Sequence, residues 1–133
     1  MLDKIIEDMD GALLPPSQYS ALTLAYIGDC IYELYVRTYL LRDANRNVNA
    51  LHTAATRYVR CSAQAAFYRR IADSLTDAEL AAFRRGRNTK SHVPKNAEMK
   101  DYRDATGVEA LLGYLYLNHE YERITALLKH IFD

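Results

Sequence analysis

The sequence predicts an all-α protein, and three observations support this. Apolar residues recur at helical spacing between clear capping signals, and no strand-like alternation is long enough to be trusted. The 133 residues include only 3 prolines and 5 glycines, which is typical of a compact, mainly helical chain. A chain of this length can bury a core of its own. We therefore expect one helical domain over residues 1–133.

The capping signals predict six helices. Their approximate ranges are 2–9, 20–41, 49–71, 77–85, 99–117 and 120–131. Ser17 or Ser20 can cap the second helix, and Asn49 can cap the third. Thr76 and Glu79 match the capping-box pattern at the start of the fourth. Two stretches between helices are predicted to be irregular, one at the prolines 15–16 and a longer one over residues 86–96.

The charge of the chain is balanced overall but unevenly distributed. The formal net charge is zero, yet the segment Arg37–Arg70 contains seven arginines and one aspartate. The segment Arg84–Lys100 contains six basic residues and one glutamate. Two such blocks can form a positive face that attracts a polyanion. A small phosphorylated substrate would not need so much positive charge.

The chain carries no sign of export or membrane insertion. Its N-terminus is acidic, unlike a secretory signal, and no run of eighteen apolar residues is present. Cys30 and Cys61 lie in helical patterns without partners at metal-ligand spacing, which is typical of free thiols in a reducing compartment. We expect a cytoplasmic location.

Two isolated carboxylates are the best indication of function. Asp29 is the only formal charge between Asp10 and Glu33, and Glu109 is the only one between Asp104 and Glu120. Both stretches are apolar, so each carboxylate is expected to be at least half buried. A buried carboxylate must be paired, protonated or bound to a cation. One shared cation would account for both, although Asp29 could instead accept internal hydrogen bonds or pair with an arginine of another helix.

The residues around these carboxylates indicate the kind of cation. Gly28 and Gly113 are small residues in apolar helices, and they allow close approach of another helix or of a substrate. No histidine or cysteine accompanies the carboxylates at ligand spacing, which favours Mg²⁺, with Mn²⁺ as the alternative, over zinc. Such a cation typically serves phosphate chemistry.

The irregular segment that follows the fourth helix has the composition of a nucleic-acid contact. It offers guanidinium, ammonium, amide and hydroxyl donors, with no acid before Glu98. These groups suit phosphate oxygens and ribose hydroxyls. Because few aromatics lie nearby, backbone contact with a duplex is favoured over base stacking. The candidate RNA-binding residues are Arg84, Arg85, Arg87, Asn88, Lys90, Ser91 and Lys95.

At three places the chain resembles the ribonuclease III family. Residues 24–33, LAYIGDCIYE, are similar to the signature helix of that family, and residues 107–116, GVEALLGYLY, to its second acidic helix. The segment RGRNTKS at 85–91, the PKN at 94–96 and the lack of a second domain resemble the short branch, Mini-ribonuclease III. The resemblance covers residues from about 20 to 128.

The resemblance implies an all-α, ribonuclease III-like helical bundle that acts as a homodimer on double-stranded RNA. Asp29 then corresponds to the signature aspartate and Glu109 to the metal-binding glutamate of the family. Both are implied as catalytic residues that bind Mg²⁺. Residues 1–133 are expected to form the catalytic domain alone, without a double-stranded-RNA-binding domain. The basic segment and the arginine-rich third helix would then supply most of the affinity, and part of the helix at 21–41 would form the dimer interface.

The chain departs from the longer family members at two positions. Ala25 and Thr106 stand where those enzymes have a glutamate and an aspartate. The metal site is thereby reduced to two carboxylates. Glu33 or Asp104 could supply a compensating oxygen, although their offsets differ.

The expected function is a Mg²⁺-dependent endoribonuclease that leaves a 5′-phosphate. The resemblance further implies that it matures the large-subunit (23S) ribosomal RNA precursor, with a ribosomal protein as a candidate for presenting the RNA. The alternative from another class is a non-catalytic RNA-binding or ribosome-assembly module on the same fold, which the two departures motivate.

Overall fold

The computed structural model describes residues 1–42, 44–89, 92–95 and 97–133. Within these ranges the chain forms seven α-helices and three short 3-10 turns and contains no strand. The helices are α1 (Leu2–Asp8), α2 (Ala21–Leu40), α3 (Val48–Val59), α4 (Cys61–Ile71), α5 (Asp77–Arg87), α6 (Met99–Leu117) and α7 (Tyr121–Leu128). The 3-10 turns are Pro16–Gln18, Ala72–Ser74 and Lys129–Phe132. The predicted all-α class is confirmed.

The caps read from the sequence begin two of these helices. Ser20 is the N-cap of α2, and its hydroxyl oxygen accepts a hydrogen bond from the Thr23 amide at 3.1 Å. Thr76 and Glu79 form the predicted capping box of α5, with reciprocal bonds of 2.9 and 3.2 Å. These bonds satisfy amide groups that have no partner inside the helix.

Three predicted boundaries were wrong. The single helix expected at 49–71 is two helices, because Arg60 adopts an extended conformation (ψ 157°) between α3 and α4, and Asn47 rather than Asn49 caps α3. The prolines at 15–16 lead into a 3-10 turn, where no helix was expected. The fourth predicted helix, 77–85, continues to Arg87, so that Arg87 lies on α5 with Arg84 and Arg85 and not in the irregular segment.

Helix α6 is the centre of the core. Most of its side chains are buried, and α2, α4 and α5 pack against it. Aromatic rings link the surrounding helices to each other: Tyr32 of α2 meets Phe67 of α4 edge-on at 5.9 Å, and Tyr68 of α4 stacks on Phe83 of α5 at 3.8 Å. Ring pairs of this kind contribute beyond the area they bury. The site described below therefore rests on one helix held from three sides.

Glycines set the spacing between these helices. A methyl group on Gly28 of α2 would overlap the carbonyl oxygen of Glu109, and one on Gly113 of α6 would overlap the carbonyl of Leu24. The backbones of α2 and α6 are therefore in direct contact where they cross. This confirms the close approach predicted from the two small residues. Gly86 and Gly107 allow a similar contact between α5 and α6.

A buried ion pair attaches α7 to the start of α5. The Glu79 carboxylate, almost fully buried, accepts two hydrogen bonds from Arg123 at 2.9 and 3.0 Å. Arg123 also donates to the Ser74 carbonyl at 2.7 Å. A bidentate arginine pair of this kind can hold the Glu79 carboxylate out of water.

None of the helices that the structure describes is long and apolar enough to span a bilayer.

The glycine crossing predicts a large stability loss on adding one carbon. Gly28→Ala forces a methyl group into the backbone of α6 and should lower the free energy of unfolding by about 3 kcal/mol or more. Urea unfolding followed by circular dichroism measures this. Gly11→Ala is the control, because a Cβ there meets no atom within 4 Å and the cost is limited to its left-handed backbone, roughly 1 kcal/mol. Equal losses in the two variants would contradict a contact-based role for Gly28.

Candidate functional site

The two isolated carboxylates lie together. Asp29 follows Gly28 on α2, and the Glu109 carbonyl on α6 lies against Gly28, so the helix crossing itself places the residues side by side. Their side chains are in hydrogen-bonding contact. Glu109 is half buried, as expected, but Asp29 is exposed on the surface of the chain. The expectation that both would be buried was therefore wrong for Asp29, which lies at the outer edge of the crossing.

The pKa of Glu109 shows that two ionised carboxylates at this position would be unfavourable. Burial raises the pKa of Glu109 to about 8, helped by the hydrogen bond and the negative charge of Asp29 and, more weakly, by the charge of Glu33. A hydrogen bond from Gln64 acts in the opposite direction. Two carboxylates this close cannot both ionise cheaply, because like charges repel in a partly buried site. A proton or a cation between them removes that cost.

The two acidic residues that could assist the site, Glu33 and Asp104, each form an ion pair with a basic residue of their own helix. Glu33 binds Arg37 at 2.9 Å, although its charge still acts on Glu109. Asp104 is buried and binds Lys100 at 2.9 Å. Thr106 turns its hydroxyl to the Tyr102 carbonyl at 3.1 Å, and Ala25 is buried in the core.

The residues present fit a hard divalent cation. Within the described ranges no group of three or more histidine, cysteine, aspartate or glutamate side chains is arranged for a metal, so the protein charge at the site comes mainly from Asp29 and Glu109. Burial and the charge of Glu109 raise the pKa of the Cys61 thiol, which disfavours the thiolate that zinc would need. The nearby Gln64 side chain has an amide oxygen without a hydrogen-bond partner. Carboxylate and amide oxygens are the ligands of Mg²⁺, Mn²⁺ and similar ions.

Four of the predicted RNA-binding residues lie at the end of α5. Arg84 and Arg85 are exposed on its last turn, Arg87 is half buried there, and Asn88 is its C-cap. Lys95 is exposed in the segment before α6. Lys90 and Ser91 lie outside the described residues.

One of these residues has a structural partner, and two others line a pocket. Arg85 donates to the Tyr19 carbonyl at 2.9 Å and so ties α5 to the segment before α2. Arg87 and Asn88 line a surface pocket of about 480 Å³ together with Lys100 and Arg103 of α6. Asp104 lines the same pocket and is paired with Lys100, so that Arg87 and Arg103 are the cations left to attract a phosphate group.

The arginine-rich block forms a second basic surface near the carboxylates. Arg57, Arg60 and Arg70 line a pocket of about 430 Å³ over the break between α3 and α4. Tyr32 lines the same pocket, and burial raises its pKa. The charge of Arg70 partly offsets this increase, and the charge of Glu109 adds to it. The pocket, whose lining also includes Asp133, therefore lies within electrostatic reach of Glu109.

Two residues of this region were missed by sequence reasoning. Arg103 follows Lys100 by one helical turn, and the basic block could have been extended to include it. Gln64 stands in the short apolar run from Ala63 to Phe67, and a lone amide there is the signal that could have identified it. Neither residue stands out without knowing which helices meet.

Comparisons with known proteins agree with this arrangement. The Ribonuclease III domain model matches residues 22–120. Mini-ribonuclease 3 of Thermoanaerobacter sp. is 50% identical over 111 residues, covering 83% of this chain and 78% of that protein. Mini-ribonuclease 3 of Symbiobacterium thermophilum is 46% identical over 121 residues, covering 90% and 89%. A crystal structure of a Fusobacterium nucleatum protein superposes with a TM-score of 0.77 at 30% identity, covering 84% of this chain and 90% of that one.

The helical bundle is therefore a ribonuclease III domain, and the chain belongs to the ribonuclease III family. Within the family it is similar over most of its length to proteins named Mini-ribonuclease 3, at 40–50% identity.

The raised pKa of Glu109 predicts a pH dependence of stability. In the unfolded chain a glutamate loses its proton near pH 4.5, whereas Glu109 in the folded protein keeps it to about pH 8. Because the folded state then binds more protons, the free energy of unfolding of the metal-free protein should fall as the pH rises through this window. Glu109→Gln removes the group, so its stability should fall less over the same range. Urea unfolding of both proteins from pH 5 to 9 in chelator tests this, and parallel curves would contradict it.

Proposed function

We propose that this protein is an endoribonuclease that depends on a divalent cation and hydrolyses phosphodiester bonds in double-stranded RNA. The observation that carries the proposal is the contact between Asp29 and Glu109, two carboxylates from separate helices beside a basic surface. Membership of the ribonuclease III family supports the same activity. The expected products carry a 5′-phosphate and a 3′-hydroxyl.

Asp29 and Glu109 are the proposed catalytic and metal-binding residues. When bound, a cation such as Mg²⁺ would offset their mutual repulsion, neutralise charge on the scissile phosphate and lower the pKa of the attacking water. Asp29, being exposed, is accessible to an approaching RNA. Glu109 is anchored in the bundle, so its main chain cannot move without disturbing the α2–α6 crossing. Glu33 supplies further negative charge nearby.

The basic residues of two parts of the chain are the proposed RNA contacts. One group comprises the last turn of α5 and the sequence that follows it, and the other surrounds the α3–α4 break. The first group is Arg84, Arg85, Arg87, Asn88, Lys90, Ser91 and Lys95, to which the structure adds Arg103. Contacts of this kind grip the backbone and select the shape of a duplex more than its sequence.

A homodimer would place two sites on one duplex. The proposal is supported by an apolar stripe on α2, where Leu22, Tyr26 and Leu34 are exposed at intervals of four or eight residues. Large apolar side chains exposed on one face commonly mark an interface. Asp29 and Glu33 lie next to this stripe, so a two-fold partner would border the catalytic site.

The natural substrate that we infer is the precursor of large-subunit (23S) ribosomal RNA, presented by a ribosomal protein, and the location is the cytoplasm. The substrate is inferred from the likeness to Mini-ribonuclease 3 proteins alone. The location is supported by two free thiols, at Cys30 and Cys61. Residues 1–133 are proposed to act as one catalytic unit.

A non-catalytic RNA-binding module is the second candidate. It is favoured by one observation: Ala25 and Thr106 stand where longer family members have acidic residues, so the site is left with the two carboxylates Asp29 and Glu109. Incubation with duplex RNA and Mg²⁺ separates the two candidates, because a binding module shifts the RNA without producing fragments.

Removing either carboxylate should abolish cleavage while preserving the fold. Asp29→Asn and Glu109→Gln are each expected to lower cleavage of a long RNA duplex by a factor on the order of a thousand, because each removes charge that holds the cation. Gel assays with Mg²⁺ or chelator measure this, and wild-type rates in either variant would overturn the assignment. Sedimentation equilibrium on the same samples should show folded dimers, and a monomeric wild type would remove the dimer from the proposal.

Removing two exposed cations should weaken RNA binding in a salt-dependent way. Arg84→Ala combined with Lys95→Ala is expected to reduce the slope of log affinity against log salt by about 2, since each phosphate contact contributes about 1. The pair avoids Arg85, whose bond to Tyr19 would confuse binding with folding. Lys4→Ala, on the acidic first helix, is the control and should leave the slope unchanged. An unaltered slope in the double variant would place the duplex elsewhere.

A further inference from the structure

Gln64 is a polar side chain on the buried face of α4. Only 4% of its surface is exposed, and the same face carries Ala65, Phe67 and Ile71 in the core. An apolar side chain of the same length would pack there without a desolvation cost. A buried amide has to be compensated by hydrogen bonds, and each atom left without a partner destabilises the fold.

The contacts of Gln64 explain only part of this cost. Its Nε2 donates to the Val59 carbonyl at 2.9 Å, and the amide lies close enough to the Glu109 carboxyl to lower the pKa of that group. Its Oε1 has no hydrogen-bond partner. Such an atom is commonly explained by an ordered water, a bound ion or a catalytic role. The neighbouring carboxylates Asp29 and Glu109 are candidates for such a role.

The backbone fixes Gln64 from one side. Val59 is the last residue of α3, and Arg60 then leaves the helix in an extended conformation before α4 begins. The Val59 carbonyl is therefore a helix-end acceptor without a partner in its own helix. By donating to it, Gln64 is held in one orientation, four residues into α4, next to α6. The amide is thus a rigid support between the end of α3 and Glu109.

Glu109 needs such a support because its neighbour repels it. When both carboxylates are ionised, Asp29 pushes the flexible Glu109 side chain away from itself. Thr106 and Ala25, which stand where longer family members have acids, cannot hold it, since Thr106 bonds to its own helix and Ala25 has no polar atom. A hydrogen bond from Gln64 favours the ionised carboxylate and fixes its direction.

We propose that Gln64 is a positioning residue of the Asp29–Glu109 site, whose amide, anchored on the Val59 carbonyl, holds the Glu109 carboxylate in the orientation that binds a divalent cation. The inference rests on the proposed function, because it requires a cation at this site. It adds a residue from a third helix to a site that the sequence assigned to two. The neutral amide oxygen remains available beside the carboxylates, where a hard cation accepts such an atom.

The test replaces the amide by a side chain of equal length. Gln64→Met keeps the buried volume and removes both hydrogen-bonding atoms. Gln18→Met makes the same chemical change at the other glutamine of the chain, which is exposed in the turn before α2, and serves as the matched control. Mn²⁺ binding without RNA is measured by the loss of the free-ion signal in electron paramagnetic resonance. The kcat and KM for duplex RNA cleavage with Mg²⁺ are measured on the same proteins.

Gln64→Met is expected to bind Mn²⁺ at least about tenfold more weakly and to lose roughly ten- to a hundredfold in kcat, with KM for RNA unchanged. Gln18→Met should match the wild type in every measurement. If Gln64→Met does not fold, Gln64→Ala removes the amide without adding volume and is read in the same way.

A purely structural role for Gln64 would give a different result. Thermal unfolding would then change while Mn²⁺ affinity and kcat stayed at wild-type values, and this outcome overturns the inference. Failure of the proposed function looks different again, since the wild type itself would neither bind Mn²⁺ nor cleave RNA.

Discussion

The backbone contact between α2 and α6 is the constraint on which the rest of the molecule depends. Gly28 and Gly113 let the two helices touch without intervening side chains, and the same contact sets Asp29 beside Glu109. The packing of the core and the geometry of the site therefore have one cause. A site built at such a crossing gains rigidity from the fold, because its carboxylates cannot separate unless the helices do.

The α2–α6 crossing holds two carboxylates, Asp29 and Glu109, in an electrostatically unfavourable arrangement. Burial and the neighbouring Asp29 raise the pKa of Glu109. Among the described residues, Glu33 forms an ion pair with the exposed Arg37 and not with a residue of the site. The well-compensated buried carboxylates lie elsewhere, Glu79 with Arg123 and Asp104 with Lys100. Uncompensated charge is thus concentrated where a cation and a phosphate are expected to meet, which is typical of active sites.

The basic surfaces show how a chain of zero net charge can approach RNA. Arginines of the α3–α4 region and of the end of α5 gather at two pockets, while the acidic first helix lies elsewhere in the sequence. Some of these cations also serve the fold, as Arg85 does by binding Tyr19 and Arg70 by binding the Ile131 carbonyl at 2.9 Å. Binding and folding therefore share residues, so substitutions have to be chosen with their partners in view.

By itself, the sequence determined the all-α class, the caps at Ser20 and Thr76, and the two carboxylates, because capping, periodicity and isolated charge are local properties of the chain. Tertiary structure alone decided the break at Arg60, the exposure of Asp29 and the burial of Gln64 beside the end of α3. At the break, the Gln64 side chain donates a hydrogen bond to the Val59 carbonyl at the end of α3. The exposure of Asp29 depends on the side of the α2–α6 crossing on which it lies. Such facts arise from contacts between helices distant in sequence, which no local pattern records.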